Sequence, residues 1–141
     1  MLCEEIMKGD VECVSPTDAV EDAAQAMRDE ELGFLPVCDQ SGKVLGTITD
    51  RDIAIRVVAA KKPGTTPIED VMTREVVSCS PKDEIGRAQE LMAQNRKSRI
   101  MCLDKSGRLV GVISLSDIAQ YEKDARSGET LRHVTERESH A

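Results

Sequence analysis

Apolar residues recur along the chain in a pattern that is written twice. Val20, Ala23, Ala24 and Met27 fall at helical spacing, and Ile85, Ala88 and Met92 repeat it, so a core-facing helix is predicted in each half. After the first helix comes an apolar run at 34–38, an Asp39-Gln40-Ser41-Gly42 turn and a second run at 43–48. Asp104-Lys105-Ser106-Gly107 stands in the same place in the second half, and each set reads as a β-hairpin. Pro36 has no N–H to donate, so the first hairpin strand is predicted to lie at an edge or to carry a local irregularity. Ser15-Pro16 with Asp18, and Ser80-Pro81 with Asp83, read as helix starts: the serine as cap, the proline at the first helical position.

Sliding the sequence by 65 positions pairs residues 6–54 with 71–119 without a gap, and 15 of those 49 pairs are identical. A two-copy duplication is not a solenoid; its natural closed form is a pseudo-two-fold pair that buries the same apolar faces. Each copy reads as a short helix, a strand, a helix, two strands and a final helix. The expected fold is α/β (α+β): two pseudo-symmetric repeats, each a small mixed sheet with flanking helices, packed as one module. The expected boundaries are 1–60 for the first repeat, 61–67 for a Lys/Pro/Gly/Thr linker, 68–126 for the second repeat and 127–141 for a polar tail.

Composition narrows the function. With no Trp, and Phe34 and Tyr121 as the sole aromatics, the core must be aliphatic, and the stacking platforms that grip single-stranded nucleic acid are missing. A net charge of −7 works against phosphate backbones and anionic membranes, so nucleic acid and membrane are not expected partners. Any anionic ligand must find a local basic pocket. The five cysteines, Cys3, Cys13, Cys38, Cys79 and Cys102, form no C-x-x-C pair and signal neither zinc nor a disulfide framework; reduced thiols in the cytoplasm fit them. Cys38 and Cys102, inside apolar runs, read as small buried hydrophobes. The chain shows no signal-peptide pattern and no apolar stretch long enough to span a membrane.

At the end of each second hairpin strand stands one motif, G-x-I-[TS]-x-x-D: Gly46-Thr47-Ile48-Thr49-Asp50-Arg51-Asp52 and Gly111-Val112-Ile113-Ser114-Leu115-Ser116-Asp117. It has two readings. A hydroxyl followed three residues later by an acid, at a strand-to-helix junction, is a capping box. The same junction offers N–H groups and a hydroxyl to a phosphate. Its acid could accept from ribose hydroxyls, and its glycine could let a ligand approach the backbone.

Taken together, the two motifs, Asp70-Val71-Met72-Thr73, the Ser-Pro-x-Asp starts and Leu35-Pro36-Val37 before the Asp39-x-x-Gly42 turn resemble the CBS-domain family in its tandem form, the Bateman module. The resemblance runs from about Cys3 to Tyr121. It implies two pseudo-symmetric clefts able to hold AMP, ADP or ATP, or a relative such as S-adenosylmethionine or an NAD-type ligand, and modules that often pair into homodimers. Carried over, Thr49 would bind phosphate and Asp52 ribose in the first cleft, with Ile48, Thr73, Glu75 and Val77 lining the base. The second cleft would use Ser114, Asp117 and Val112 with Met7, Asp10 and Glu12. Arg51 favours the first cleft, since Ser116 replaces it in the second. Lys97 and Arg99 are phosphate-reaching candidates or solvated surface charge, and the cleft that Arg99 serves is left open. With so few aromatics, adenine would lie between aliphatic side chains and be read by backbone groups.

No Ser/His/Asp set, no Cys beside a His and no P-loop is visible, so an enzyme is not expected. His133 and His140 make a weak metal pair. The expected function is a regulatory module that senses adenosine nucleotides and acts on a target protein that the sequence does not name. The alternative is an interaction or structural module that has lost ligand binding.

Overall fold

The computed structural model describes residues 1–125. His133 and His140, and all of the polar tail 127–141, lie outside the described residues. In the first half α1 (Val20–Glu30) is followed by β1 (Phe34–Cys38), β2 (Val44–Thr49) and α2 (Asp50–Ile53), which runs on into a π-helical turn, Ala54–Val58. In the second half β3 (Ser78–Cys79), α3 (Ile85–Asn95), β4 (Arg99–Leu103) and β5 (Leu109–Ser114) lead into α4, residues 115–125. The hairpins form as predicted: β1 pairs antiparallel with β2, and β4 with β5. Asp39 and Asp104 fix the turns, each accepting backbone N–H groups from the residues two and four positions on, with Gly42 and Gly107 at positive φ.

Both hairpins carry a register shift at the same place, Val37/Cys38 and Cys102/Leu103, so the bulge does not depend on proline. Pro36 acts elsewhere. Its counterpart Met101 donates its N–H to the Val77 carbonyl, which lets β3 pair parallel with β4. Pro36 cannot donate, and the matching strand shrinks to a single bridge, Val14 with Val37. The sheets therefore have two and three strands.

The helix starts differ from the expectation. Helices α1 and α3 begin at Val20 and Ile85, with Ala19 and Glu84 at the cap positions. Ser15 and Ser80 instead open separate turns, in which the Asp18 and Asp83 carboxylates accept the serine N–H groups. What holds each helix start is a bridge to the other repeat's opening segment, Ala19 to Pro67 and Glu84 to Leu2.

That bridge belongs to an exchange of segments. The 3-10 turn Cys3–Glu5, first in sequence, packs its Cys3 with Cys79, Met92 and Ile113 of the second half. The 3-10 turn Ile68–Asp70, with Val71 and Met72, packs with Val20, Leu35 and Ile48 of the first half. Each repeat is contiguous in sequence, but each core is completed by the other's opening turn. A third cluster, Cys38, Val44, Met101 and Val112, joins the two sheets, and the hairpin tips pair through Val44 N–H to Gly107 and Leu109 N–H to Gly42.

Candidate functional site

Between the two sheets lies a cavity of about 310 Å³, within the usual range for small-ligand pockets. The first half lines it with Gly33, Phe34, Thr47, Thr49, Asp50 and Arg51; the second contributes Glu75, Val77, Lys97, Ser98, Arg99 and Met101. Helix α3 closes on Arg96 in the left-handed conformation, φ 54°, and this reversal sends Lys97, Ser98 and Arg99 toward the cavity. The Arg99 guanidinium lies over the Phe34 ring, 5.8 Å from its centroid. Arg99 thus lines the cavity of Thr49 and Arg51, as does its repeat counterpart Phe34. Among the described residues Arg51, Lys97 and Arg99 take part in no ion pair. In a chain of net charge −7, three cations and two carboxylates, Asp50 and Glu75, face one cavity, a local excess of positive charge.

The motif residues divide. Thr49 and Asp52 form the capping box: Asp52 N–H donates to Thr49 Oγ1 at 3.1 Å, and Thr49 N–H to Asp52 Oδ2 at 3.0 Å. Thr49 also reaches the cavity wall, and its own O–H proton is uncommitted among the described residues. Asp52 is buried, 8% exposed, and is not a lining residue. Its carboxylate accepts Thr73 Oγ1 at 3.1 Å, with Arg56 Nε 3.8 Å away. Arg56, which sequence reasoning missed, also donates to the Val71 and Met72 carbonyls and so ties down the exchanged segment. Its signal was its position one helical turn after Asp52. Ile48 is fully enclosed in the first core, and Val112 is buried in the cluster between the sheets.

Both motif glycines pack closely against the exchanged segments. A Cβ on Gly46 would run into the Thr73 carbonyl. A Cβ on Gly111 would meet the Met7 side chain, the nearest atom at 2.6 Å. Met7 thus packs at the strand, while Asp10 and Glu12 are exposed.

The second motif repeats the capping box, with Asp117 N–H to Ser114 Oγ at 3.0 Å and Ser114 N–H to Asp117 Oδ2 at 3.1 Å. Its neighbour differs. Where Thr73 meets Asp52, the position 65 earlier is Lys8, whose Nζ lies 3.2 Å from Asp117 Oδ1. Sequence reasoning overlooked Lys8, although the 65-residue offset pointed to it. Partial burial pushes the Asp117 carboxyl up, but hydrogen bonds from Ser114 and the Lys8 ammonium outweigh this and hold it below the usual carboxylate range. The counterparts of Arg51, Lys97 and Arg99 are Ser116, Leu32 and Phe34, so the second cleft has no cation at those positions. At the segment paired with Glu75 and Val77, a hydrogen bond with Glu12 and the charges of Glu12, Asp10 and Asp29 raise the Glu30 carboxyl.

Among the described residues, no group of His, Cys, Asp and Glu could hold a metal ion, and no helix is long and apolar enough to cross a membrane.

The family model described as CBS domain matches residues 3–59 and again 68–124. The CBS domain-containing protein YhcV of Bacillus subtilis is 35% identical over 138 residues, covering 97% of each chain. The inosine-5'-monophosphate dehydrogenase of Methanocaldococcus jannaschii is 38% identical over 120 residues, which cover 85% of this chain but 23% of that enzyme. Among solved structures, the CBS domain pair of protein MJ0100, in complex with 5'-methylthioadenosine and S-adenosyl-L-methionine, superposes with a TM-score of 0.77 at 26% identity, covering 86% of this chain and 98% of that one.

Proposed function

Because this chain belongs to the CBS domain family, as a tandem pair, we propose that it is a non-enzymatic regulatory module that binds AMP, ADP or ATP in the cavity between its repeats. The observation that carries this reading is the meeting of Arg51, Lys97 and Arg99 beside the Thr49 hydroxyl in so acidic a chain. Cations left unpaired in a concave, partly desolvated site are matched by phosphate oxygens, and arginine can do so through two parallel hydrogen bonds. The adenosine complex of the MJ0100 domain pair supports the ligand class. The three cations favour a phosphorylated ligand here over S-adenosylmethionine, whose sulfonium they would repel. Val77 and Met101 supply an aliphatic wall for the base; Asp52, buried and outside the lining, would meet a ribose only if the Thr73 hydroxyl gave way.

Occupancy would bind the two halves across their seam, since Thr49 and Arg51 come from one and Lys97 and Arg99 from the other. A ligand that holds both halves selects the arrangement in which they are closest, and so can alter a separate target protein or the packing of a homodimer. The five free cysteines are those of a reducing compartment, so the proposed setting is the cytoplasm.

One observation favours the second reading, an interaction module without ligand. Asp52 is already satisfied by Thr73 and Thr49, so a ribose would have to displace the Thr73 hydroxyl. Isothermal titration calorimetry of nucleotide-stripped protein with AMP, ADP, ATP, S-adenosylmethionine and GTP separates the two. The nucleotide reading expects micromolar binding of an adenosine phosphate with GTP much weaker; a folded protein that gives no heat with any of them supports the interaction module.

A further inference from the structure

Cys13 and Cys38 are 25 positions apart, yet the fold makes them neighbours. Val14 N–H donates to the Pro36 carbonyl and Cys38 N–H donates to the Val14 carbonyl, each at 2.9 Å. This backbone pairing sets the residue before Val14 beside the residue after Val37. The two sulfurs lie 2.6 Å apart, inside van der Waals contact and close to the bonding distance of about 2.05 Å. Their surroundings are unequal: Cys13 is exposed, whereas Cys38 is 5% exposed and packs among Val44, Met101 and Val112 at the seam between the sheets. An accessible thiol beside a sheltered second thiol is the arrangement of a reactive cysteine and its resolving partner.

The other three cysteines provide an internal contrast. Cys3, Cys79 and Cys102 also cluster, with sulfurs 3.9 Å and 3.5 Å apart, but all three are buried. Burial and the neighbouring Cys79 push the Cys3 thiol up to about 12, away from thiolate chemistry. The hydrogen bond from Cys38 acts oppositely on Cys13 and holds its thiol below the ordinary value. In the duplicated half the positions of Cys13 and Cys38 are Ser78 and Leu103, so the pair is a property of the first repeat alone.

We infer that Cys13 and Cys38 form a reversible, peroxide-driven disulfide that ties the segment preceding α1 to the seam-facing end of β1. The Cys13 thiolate attacks one oxygen of hydrogen peroxide, the O–O bond breaks, and the departing hydroxide takes a proton to leave as water. The sulfenic acid on Cys13 is then attacked by the Cys38 sulfur, the S–O bond breaks, and a second water leaves with the Cys38 proton. Two thiols lose two electrons and peroxide is reduced to two waters; a low-molecular-weight dithiol reverses the step. Because Met101 belongs both to the seam cluster and to the cavity wall, the cross-link stiffens one side of the cavity.

Peptide mapping of the full chain tests this. The protein is exposed to equimolar hydrogen peroxide in its native state, its remaining thiols are alkylated after unfolding, and it is digested. The expected result is one linked peptide joining Cys13 to Cys38, two hydrogens lighter than the reduced pair, with Cys3, Cys79 and Cys102 alkylated and the link lost with dithiothreitol. The melting temperature should rise by about 10 °C, as closing a loop of this size constrains the unfolded chain. Cys38→Ser should stop Cys13 at the sulfenic acid, trapped with dimedone, and a second equivalent of peroxide should carry it to sulfinic acid. The inference is overturned if wild-type Cys13 remains alkylatable, or if its product is sulfinic acid or a disulfide between two chains. The wild-type map decides even if a variant fails to fold.

Discussion

The two clefts share a backbone and differ in what faces them. In the first half Asp52 meets a neutral hydroxyl, Thr73, and the cavity beside it gathers Arg51, Lys97 and Arg99. In the second half Asp117 meets an ammonium, Lys8, and the three cation positions hold Ser116, Leu32 and Phe34. Duplication preserved the capping box in both copies because the fold needs it at each strand-to-helix junction. The side chains around that box were free to diverge. One copy lines its cavity with three cations that take part in no ion pair among the described residues, while the other's lysine closes an ion pair with its own motif aspartate.

The largest expected difference between the halves lies in their glycines. Gly46→Ala forces a methyl into the Thr73 carbonyl, which is backbone and cannot yield, whereas Gly111→Ala meets a Met7 side chain that can turn aside. Urea denaturation should show a loss of about 3 kcal/mol for Gly46→Ala and about 1 kcal/mol for Gly111→Ala. Equal losses would mean that the exchanged segments are held alike in both halves.

Next comes a substitution that makes the first cleft like the second. Arg99→Phe, which installs the residue found at the paired position, should weaken an adenosine phosphate by tenfold or more, since a charge-assisted contact is worth about 1.5–3 kcal/mol. Calorimetry reads this directly, and an unchanged affinity would remove Arg99 from the site.

Asp52→Ala follows. It strips a cap and leaves the Thr73 hydroxyl and the Thr49 N–H without their acceptor, a cost to stability of about 1–2 kcal/mol. If affinity falls tenfold while stability holds, ribose recognition outweighs the structural role.

The smallest effect is expected at Lys8. Lys8→Met removes an exposed partner and should let the Asp117 carboxyl rise toward its ordinary value, read by NMR titration of the side chain. A carboxyl depressed in the folded state contributes stability above its unfolded value, about 3.9, and loses it as pH falls through the folded value. The variant should therefore be less sensitive to acid in that window than the wild type.

The duplication, the hairpins and their Asp-x-Ser-Gly turns were legible because each is a local pattern of a few residues. Pro36 was legible in kind: its missing N–H did weaken a strand, but the weakened partner is the segment at Val14, which no local reading could supply. The exchange of opening turns was not legible. It rests on where Cys3, Ile68 and Val71 find apolar neighbours, and those neighbours lie on the far side of the molecule. Ser15 and Ser80 misled for a related reason. Each makes a complete turn with its own aspartate, and the helix then starts where the other repeat holds Ala19 or Glu84. For the site, Thr49, Arg51, Lys97, Arg99 and Val77 do meet at one cavity, whereas Ile48 and Asp52 turn inward.

The most direct test of the central claim, that the first cleft is the ligand site, is a two-dimensional ¹H–¹⁵N NMR titration of the nucleotide-free protein with ATP. The account predicts the largest amide shifts at Thr49, Arg51, Lys97, Ser98 and Arg99, with Ser114, Ser116 and Asp117 nearly still. Shifts centred on Ser114 to Asp117, or a spectrum unmoved by excess ATP, would contradict it.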